Sequence, residues 1–468
     1  MIITFAPEIF YIVMALIFFF LTISQNKETR SRNFALLLSV VGMIICFLSI
    51  NQNSVLFLGT YKIDFFSQFF KTLLGIGFFL IIFLGKELKG ISRSCAAPFY
   101  LFLTLSLLGL IFLISSVELI TLFVSLELSS YALYIAICFR KNGGWQTEAA
   151  IKYLLFGAIA SGLMLFGIGY LLLALKDTYI SSLVTTIPVF PHNIPVILGF
   201  CMLLSGVFFK LALFPFHFWS PDVYQGASNE TTPFIATLPK VAAIALLLRF
   251  LNLETGQPAL IQSLVLLSAA SMTFGNLVAL AQQDLKRLLA YSSIAHAGYI
   301  LMGLLAFNQI GAAAAVYYIT VYLMMNLACF YVIAKISPQG KNVSFSGLSG
   351  LYRRSPWLAA TLAVSALSLA GIPPTAGFTG KLFLFTAAFK AGHNYLVVLA
   401  AINCAISLFF YLNMVRHAYT REPEGLFSVP LSGFDYLISI FFIFIIIFLG
   451  ILPNSLFNIA LNVITNLV

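Results

Sequence analysis

From one end to the other the sequence is a succession of apolar runs, each about as long as a bilayer is thick, separated by short polar connections. A helix rises about 1.5 Å per residue, so roughly 20 apolar residues cross the hydrocarbon layer. Lipid offers no hydrogen bonds, and only helices or closed barrels satisfy their own backbone there. The runs are too long and too continuous for barrel strands, which alternate in and out over about ten residues. Spans are therefore predicted at 2–24, 33–50, 66–85, 97–115, 117–139, 148–174, 194–222, 231–251, 259–282, 285–306, 310–336, 357–391, 393–418 and 434–463. The expected fold is an all-α integral membrane protein with about 14 transmembrane helices and no sizeable soluble domain. Composition agrees: 61% of the 468 residues are hydrophobic and 9% charged, against about 25% charged in soluble domains.

The net charge of +10 is spread thinly, with no Lys/Arg cluster of the kind a nucleic acid needs. Cys46, Cys95, Cys138, Cys201, Cys329 and Cys404 are scattered singly, without metal or iron–sulfur spacing. No phosphate-binding loop follows a strand; Gly75/Gly77 and Gly167/Gly169 lie inside apolar runs. No cofactor or metal is thus expected in this chain. The first run has no basic leader or small-residue cleavage site and is expected to be a retained helix.

Alternate connections differ sharply in positive charge. One side holds Lys27, Arg30, Arg32, Lys86, Lys89, Arg93, Arg140, Lys141, Lys286, Arg287, Lys335, Lys341, Arg353, Arg354, Arg416 and Arg421; the other holds Lys62, Lys71, Lys176, Arg249 and Lys390, or 16 against 5. The positive-inside rule then puts both termini on the outer face, as an even number of spans requires.

Four basic residues remain. Lys152 is shallow, but Lys210, Lys240 and Lys381 lie deep in spans seven, eight and twelve. Glu127 lies about ten residues into span five, about 15 Å down, and His296 is similarly deep in span ten. A charge near the bilayer centre costs about 2.5–3.5 kcal/mol, so each needs a partner, water or a function. Glu127 paired with Lys210 would serve as a structural tie. One deep carboxylate cannot match three ammonium groups, however, and burial and mutual repulsion oppose three simultaneous charges. A lysine able to lose and regain its proton is a relay element. His296 fits either a packing role or a shuttle between Lys240 and Lys381.

Spans seven and twelve are interrupted by proline, at Pro215 with His217 two residues on, and at Pro373-Pro374. Proline removes a donor and clashes with the carbonyl four residues earlier, so Leu211, Leu369 and Ala370 are expected to have freed carbonyls near lysines. Pro239, just before Lys240, is a further expected opening; a simple packing kink is the alternative at each. Two broken, lysine-bearing spans five apart predict a repeat of spans 4–8 and 9–13, inverted by the topology above, with an ion pathway at mid-membrane. The segments are then 1–96, 97–251 (first repeat), 259–418 (second repeat) and 434–463.

The stretches FVSLELSSYALY (123–134), KLALFPFHFWSPDVYQG (210–226), LAYSSIAHAGY (289–299) and GIPPTAGFTGK (371–381) together resemble the antiporter-like membrane subunits of NADH-quinone oxidoreductase, respiratory complex I, with the subunit N branch the nearest. A lysine at 381 and the absence of a long lateral helix after the last span favour that branch. The resemblance covers nearly the whole chain. It implies a coupled pair at Glu127 and Lys210, a central Lys240, and an exit-side Lys381. It also implies a redox-inactive, proton-translocating subunit in the bacterial cytoplasmic membrane, with NADH, FMN, iron–sulfur clusters and quinone held by partner membrane and peripheral subunits. Multisubunit Na+/H+ antiporters and membrane-bound hydrogenases share much of the pattern, and an inert scaffold is the reading of a different class.

Overall fold

The computed structural model describes residues 4–24, 28–141, 144–183, 194–250, 258–420 and 429–467; Lys27 and Arg421 of the charge count lie outside them. The helices, in chain order, are α1 (Ala6–Ile23), α2 (Glu28–Leu48), α3 (Phe65–Leu84), α4 (Ala96–Ser115), α5 (Leu119–Cys138), α6 (Trp145–Leu175), α7 (Ile194–Leu211), α8 (Trp219–Gly226), α9 (Thr232–Arg249), α10 (Pro258–Ala279), α11 (Leu285–Leu304), α12 (Gln309–Ile336), α13 (Leu351–Arg354), α14 (Pro356–Ala370), α15 (Ala376–Lys390), α16 (Asn394–Thr420), α17 (Gly433–Ile451) and α18 (Pro453–Thr465). Span seven is α7 plus α8, and span twelve is α14 plus α15.

Among the described residues, 12 helices are long and apolar enough to cross a membrane. The other two expected spans fall short for visible reasons. In α11, Lys286, Arg287, Ser292, Ser293 and His296 dilute the apolar run, and the two halves of span twelve have 15 residues each.

Three local departures from expectation have simple causes. The last span is two helices, α17 and α18, broken at Leu452; Pro453 lacks the N–H that would continue the ladder and disfavours a helical residue before it. Secondly, α9 runs unbroken through Pro239. All its residues but Leu247 are buried, and packing on every side holds the backbone around the one missing bond. Thirdly, the chain is not purely helical: Ser54–Leu56 (β1) pairs antiparallel with Tyr61–Ile63 (β2) between α2 and α3.

The chain divides into two compact units, residues 1–263 with 463–468, and residues 264–462. Each has a helix enclosed by its neighbours: α9 in the first and α12 in the second, where all but Gln309, Ile310 and Ala334 are buried. Around them, α6 and α16 expose bulky apolar side chains such as Phe166, Leu173 and Phe409. Water would penalise such a surface, whereas lipid matches it.

Several basic residues assigned to connections are buried instead. Lys71 is paired with Glu8 at 2.5 Å, Arg249 with Asp64 at 3.2 Å, and Lys335 with Asp435 at 2.9 Å. Their acidic partners lie far away in sequence, where a count along the chain does not see them. Lys152 matches its shallow placement: it is partly exposed and bridges Glu148 and Asp222, each at 2.6 Å.

Candidate functional site

In the first unit, α7 ends in a Schellman motif. The Leu213 amide donates to the Phe208 carbonyl and the Ala212 amide to that of Phe209, each at 3.0 Å, with Ala212 in the left-handed region at φ 57°. This geometry satisfies the two earlier carbonyls of the last turn and leaves the final ones open. Pro215 stands where the Leu211 carbonyl would have found an amide. That carbonyl instead accepts the Lys240 ammonium of α9 at 2.9 Å. The helix C-terminus carries about half a negative charge, so it attracts the ammonium as a whole end, not only as one oxygen.

Lys210, the last residue but one of α7, does not take that carbonyl. It is buried, and its Nζ has no hydrogen-bond partner in this structure. The Tyr153 ring faces it at 6.0 Å. Trp219, the first residue of α8, stacks on Tyr153 at 4.5 Å and donates from Nε1 to the Phe209 carbonyl at 3.0 Å. The break thus swings an aromatic side chain back against the lysine's end of α7. Arg140 fixes α8 from its other end by donating to the carbonyls of Gln225, Gly226 and Ala227. Glu127 is buried on α5, but among the described residues it forms no ion pair with Lys210. Its Oε1 accepts the Ser161 hydroxyl of α6 at 2.5 Å. The expected tie between Glu127 and Lys210 is therefore open, because Ser161 offers the carboxylate a closer donor. His217 lies buried in the break, its ring 5.4 Å from that of Phe214.

The second unit repeats the helix ending. The Ile372 amide donates to the Leu367 carbonyl and the Gly371 amide to that of Ser368, each at 3.0 Å. Pro373 and Pro374 remove the donors due to Leu369 and Ala370, and Lys381 Nζ of α15 donates to both carbonyls, at 2.8 and 2.9 Å. Gly371 sits at φ 89°, and a Cβ there would stand 3.0 Å from Lys381 Cδ; glycine both permits the turn and leaves room for the lysine stem. Gly377, in the first turn of α15, lets the two halves approach, since a Cβ would fall 1.8 Å from the Ser368 carbonyl oxygen.

Lys381 also lies over the Tyr299 ring at 5.0 Å. His296, one turn earlier on α11, meets that ring edge-on at 6.0 Å. Tyr299 thus brings these two predicted residues together. Both imidazole nitrogens are engaged, Nδ1 with the Tyr318 hydroxyl at 2.7 Å and Nε2 with the Tyr411 hydroxyl at 3.1 Å; Tyr411 also hydrogen-bonds Ser292. A hydroxyl donates or accepts, so this cradle suits either neutral tautomer. Sequence reasoning missed Tyr153, Trp219, Ser161 and the tyrosines around His296. Among the described residues no group of three or more His, Cys, Asp or Glu is placed to hold a metal.

Residues 116–407 match the family described as NADH:quinone oxidoreductase/Mrp antiporter, transmembrane. The chain is 43% identical over 460 residues to NADH-quinone oxidoreductase subunit N 2 of Syntrophobacter fumaroxidans, covering 98% of each. It is 42% identical to the protein of the same name from Solidesulfovibrio magneticus, covering 97% of each. A chain of respiratory complex I from Thermus thermophilus superposes with a TM-score of 0.85 at 33% identity, over 97% of this chain and 99% of that one. A chain of the Mrp complex from a Dietzia species gives 0.88 at 20% identity, over 100% and 98%, a likeness of fold alone. With relatives this similar over nearly its whole length, the chain belongs to the antiporter-like transmembrane family of NADH:quinone oxidoreductase and Mrp antiporters, on its NADH-quinone oxidoreductase subunit N branch.

Proposed function

We propose that the chain is the proton-translocating, redox-inactive subunit of the membrane arm of an NADH-quinone oxidoreductase in a bacterial cytoplasmic membrane. Partner subunits hold NADH, FMN, iron–sulfur clusters and quinone. In this reading all fourteen spans cross the bilayer, both termini lie outside, and spans 4–8 and 9–13 are inverted repeats flanked by 1–96 and 434–463. The matching ends of α7 and α14, each with carbonyls clasped by a buried lysine, support the repeat.

One observation carries the proposal: Lys210 is buried with no hydrogen-bond partner for its Nζ, while Glu127 is held by Ser161. A closed Glu127–Lys210 pair favours the charged lysine, whereas the open pair is the state from which a proton leaves. Moving one pKa unit changes the balance by about 1.4 kcal/mol, so a small displacement of Glu127 redirects the proton. Lys240 then receives it, and His296 and Lys381 carry it to the outer side, with Pro215, His217, Pro239, Pro373 and Pro374 shaping the backbone around the path. Quinone reduction in the partners drives the opening and closing.

The test is Lys210→Ala and Lys381→Ala in the assembled complex, reconstituted in vesicles. Quinone reduction with lost pumping supports the relay; normal pumping by both overturns it. Purification from native membranes, with mass spectrometry of the partners and an absorbance scan for flavin and iron–sulfur centres, tests the assembly.

A further inference from the structure

Away from both interrupted spans, α1, α2 and α3 enclose a second group of ionisable side chains. Glu8 and Lys71 are completely buried, and Lys71 Nζ donates to Glu8 Oε1 at 2.5 Å. The Tyr61 hydroxyl of β2 donates to the same oxygen at 2.6 Å, its ring 5.3 Å from the ammonium. Oε1 is therefore saturated, while the buried Oε2 has no partner. One turn before Lys71, on the same face of α3, Gln68 is also completely buried, and neither its Oε1 nor its Nε2 has a partner. Tyr11, one turn after Glu8, is buried with its hydroxyl unpartnered, and Thr72 donates to the Cys46 and Gln68 carbonyls at 3.1 and 2.8 Å. Asp64 caps α3 and holds Arg249, the last residue of α9, nine residues beyond Lys240. Burial alone would push the Asp64 carboxyl up; the Arg249 guanidinium and the Ser67 amide outweigh it and hold it below the usual carboxylate range.

A dry ion pair stabilises a core only when every lone pair and proton is used. Here four buried polar atoms, Glu8 Oε2, the Tyr11 hydroxyl and both ends of Gln68, have no hydrogen-bond partner, a costly arrangement if dry. A water bound among them would find the two to four polar contacts that an internal water requires. A carboxylate whose one oxygen holds a lysine and whose other faces water can take a proton from a hydronium, giving water and a neutral carboxyl. Returning it restores the pair.

We propose that α1–α3 of the first unit hold a water-filled proton-exchange site, built on Glu8, Lys71 and Gln68 and separate from the lysines of the interrupted spans. It rests on the proton-translocation reading and adds an exchange point near the ends of α1 and α3 that this reading places outside. The Asp64–Arg249 pair links it to the helix that carries Lys240.

The experiment is made on the assembled complex. Hydroxyl-radical footprinting by water radiolysis, read by mass spectrometry, should oxidise Cys46 several-fold faster than the equally buried Cys329, and Gln68→Leu should bring Cys46 down to the Cys329 rate. Equal rates in the native protein overturn the water-filled site. In vesicles, Glu8→Gln should slow pumping several-fold, because the amide cannot take up a proton, with Lys210→Ala run in parallel. Normal pumping by Glu8→Gln when Lys210→Ala has lost it overturns this inference alone; normal pumping by both overturns the proposed function as well. If Glu8→Gln does not assemble, Gln68→Leu decides: slower pumping with lost Cys46 labelling supports the site, and unchanged pumping overturns it.

Discussion

The two helix interruptions use one backbone device with different lysines. Both α7 and α14 end in Schellman motifs followed by a cis X–Pro bond, and both offer their last carbonyls to an ammonium. In the second unit the ammonium comes from the same span, eleven and twelve residues on, and takes two carbonyls. In the first it comes from a different helix, α9, and Leu211 is its acceptor there, so the lysine native to the interrupted span is left over. The difference shows how a helix end can stand in for a counter-ion: Lys240 and Lys381 both place their ammonium groups on carbonyls that a helix end leaves open.

The contrast can be broken most forcefully at the clasps. Lys381→Met strands the Leu369 and Ala370 carbonyls and Lys240→Met the Leu211 carbonyl; hydrogen bonds to charged groups are worth about 1.5–3 kcal/mol, and the relief of a buried charge is common to both. Each should lower the thermal midpoint of the purified complex; an unchanged midpoint for Lys381→Met would mean that its two carbonyls contribute nothing. Next in size is the turn residue. Gly371→Ala meets both the left-handed penalty of about 1–2 kcal/mol and the Lys381 stem, and should cost at least that much, whereas Ala212→Gly at the corresponding position should be neutral or stabilising. A tolerated Gly371→Ala would show that the stem has room to move.

A smaller effect is expected from Ser161→Ala, which removes one hydroxyl from Glu127 at a cost of about 1 kcal/mol. It should shift the equilibrium toward the closed Glu127–Lys210 pair, visible as an altered pH profile of pumping with assembly intact. The smallest change in stability belongs to Lys210→Met. Replacing a buried ammonium without a hydrogen-bond partner by an apolar side chain of similar length should leave the midpoint unchanged or raised, while pumping is lost. A large fall in the midpoint would show that Lys210 is a structural tie.

Much of this was legible in the residues. Apolar runs placed the helices, and the positions four before Pro215, Pro373 and Pro374 pointed to Leu211, Leu369 and Ala370, whose carbonyls each accept from a lysine. Sequence did not tell that Leu211 would go to Lys240 rather than to Lys210, because which ammonium reaches a carbonyl depends on helix packing. The Glu8–Lys71 pair was invisible for a related reason: each charge lies near the end of an apolar run, where a charge usually snorkels to water, and the two are 63 residues apart. The aromatic surroundings of Lys210 and His296 were hidden among 48 phenylalanines and 20 tyrosines. The break at Leu452 did have a signal in Pro453, one proline read as the interior of a long run.

The twin clasp on Lys381 carries one more consequence. A peptide carbonyl is not protonated in the physiological range, so it grips the nitrogen without competing for what the nitrogen carries. An ammonium has three hydrogens and a neutral amine two, and two are what Leu369 and Ala370 engage. The nitrogen can stay moored in both charge states, while its third position, hydrogen in one and lone pair in the other, is the one that changes. A residue held this way changes charge without changing place, like a fixed terminal in a circuit whose moving parts are elsewhere.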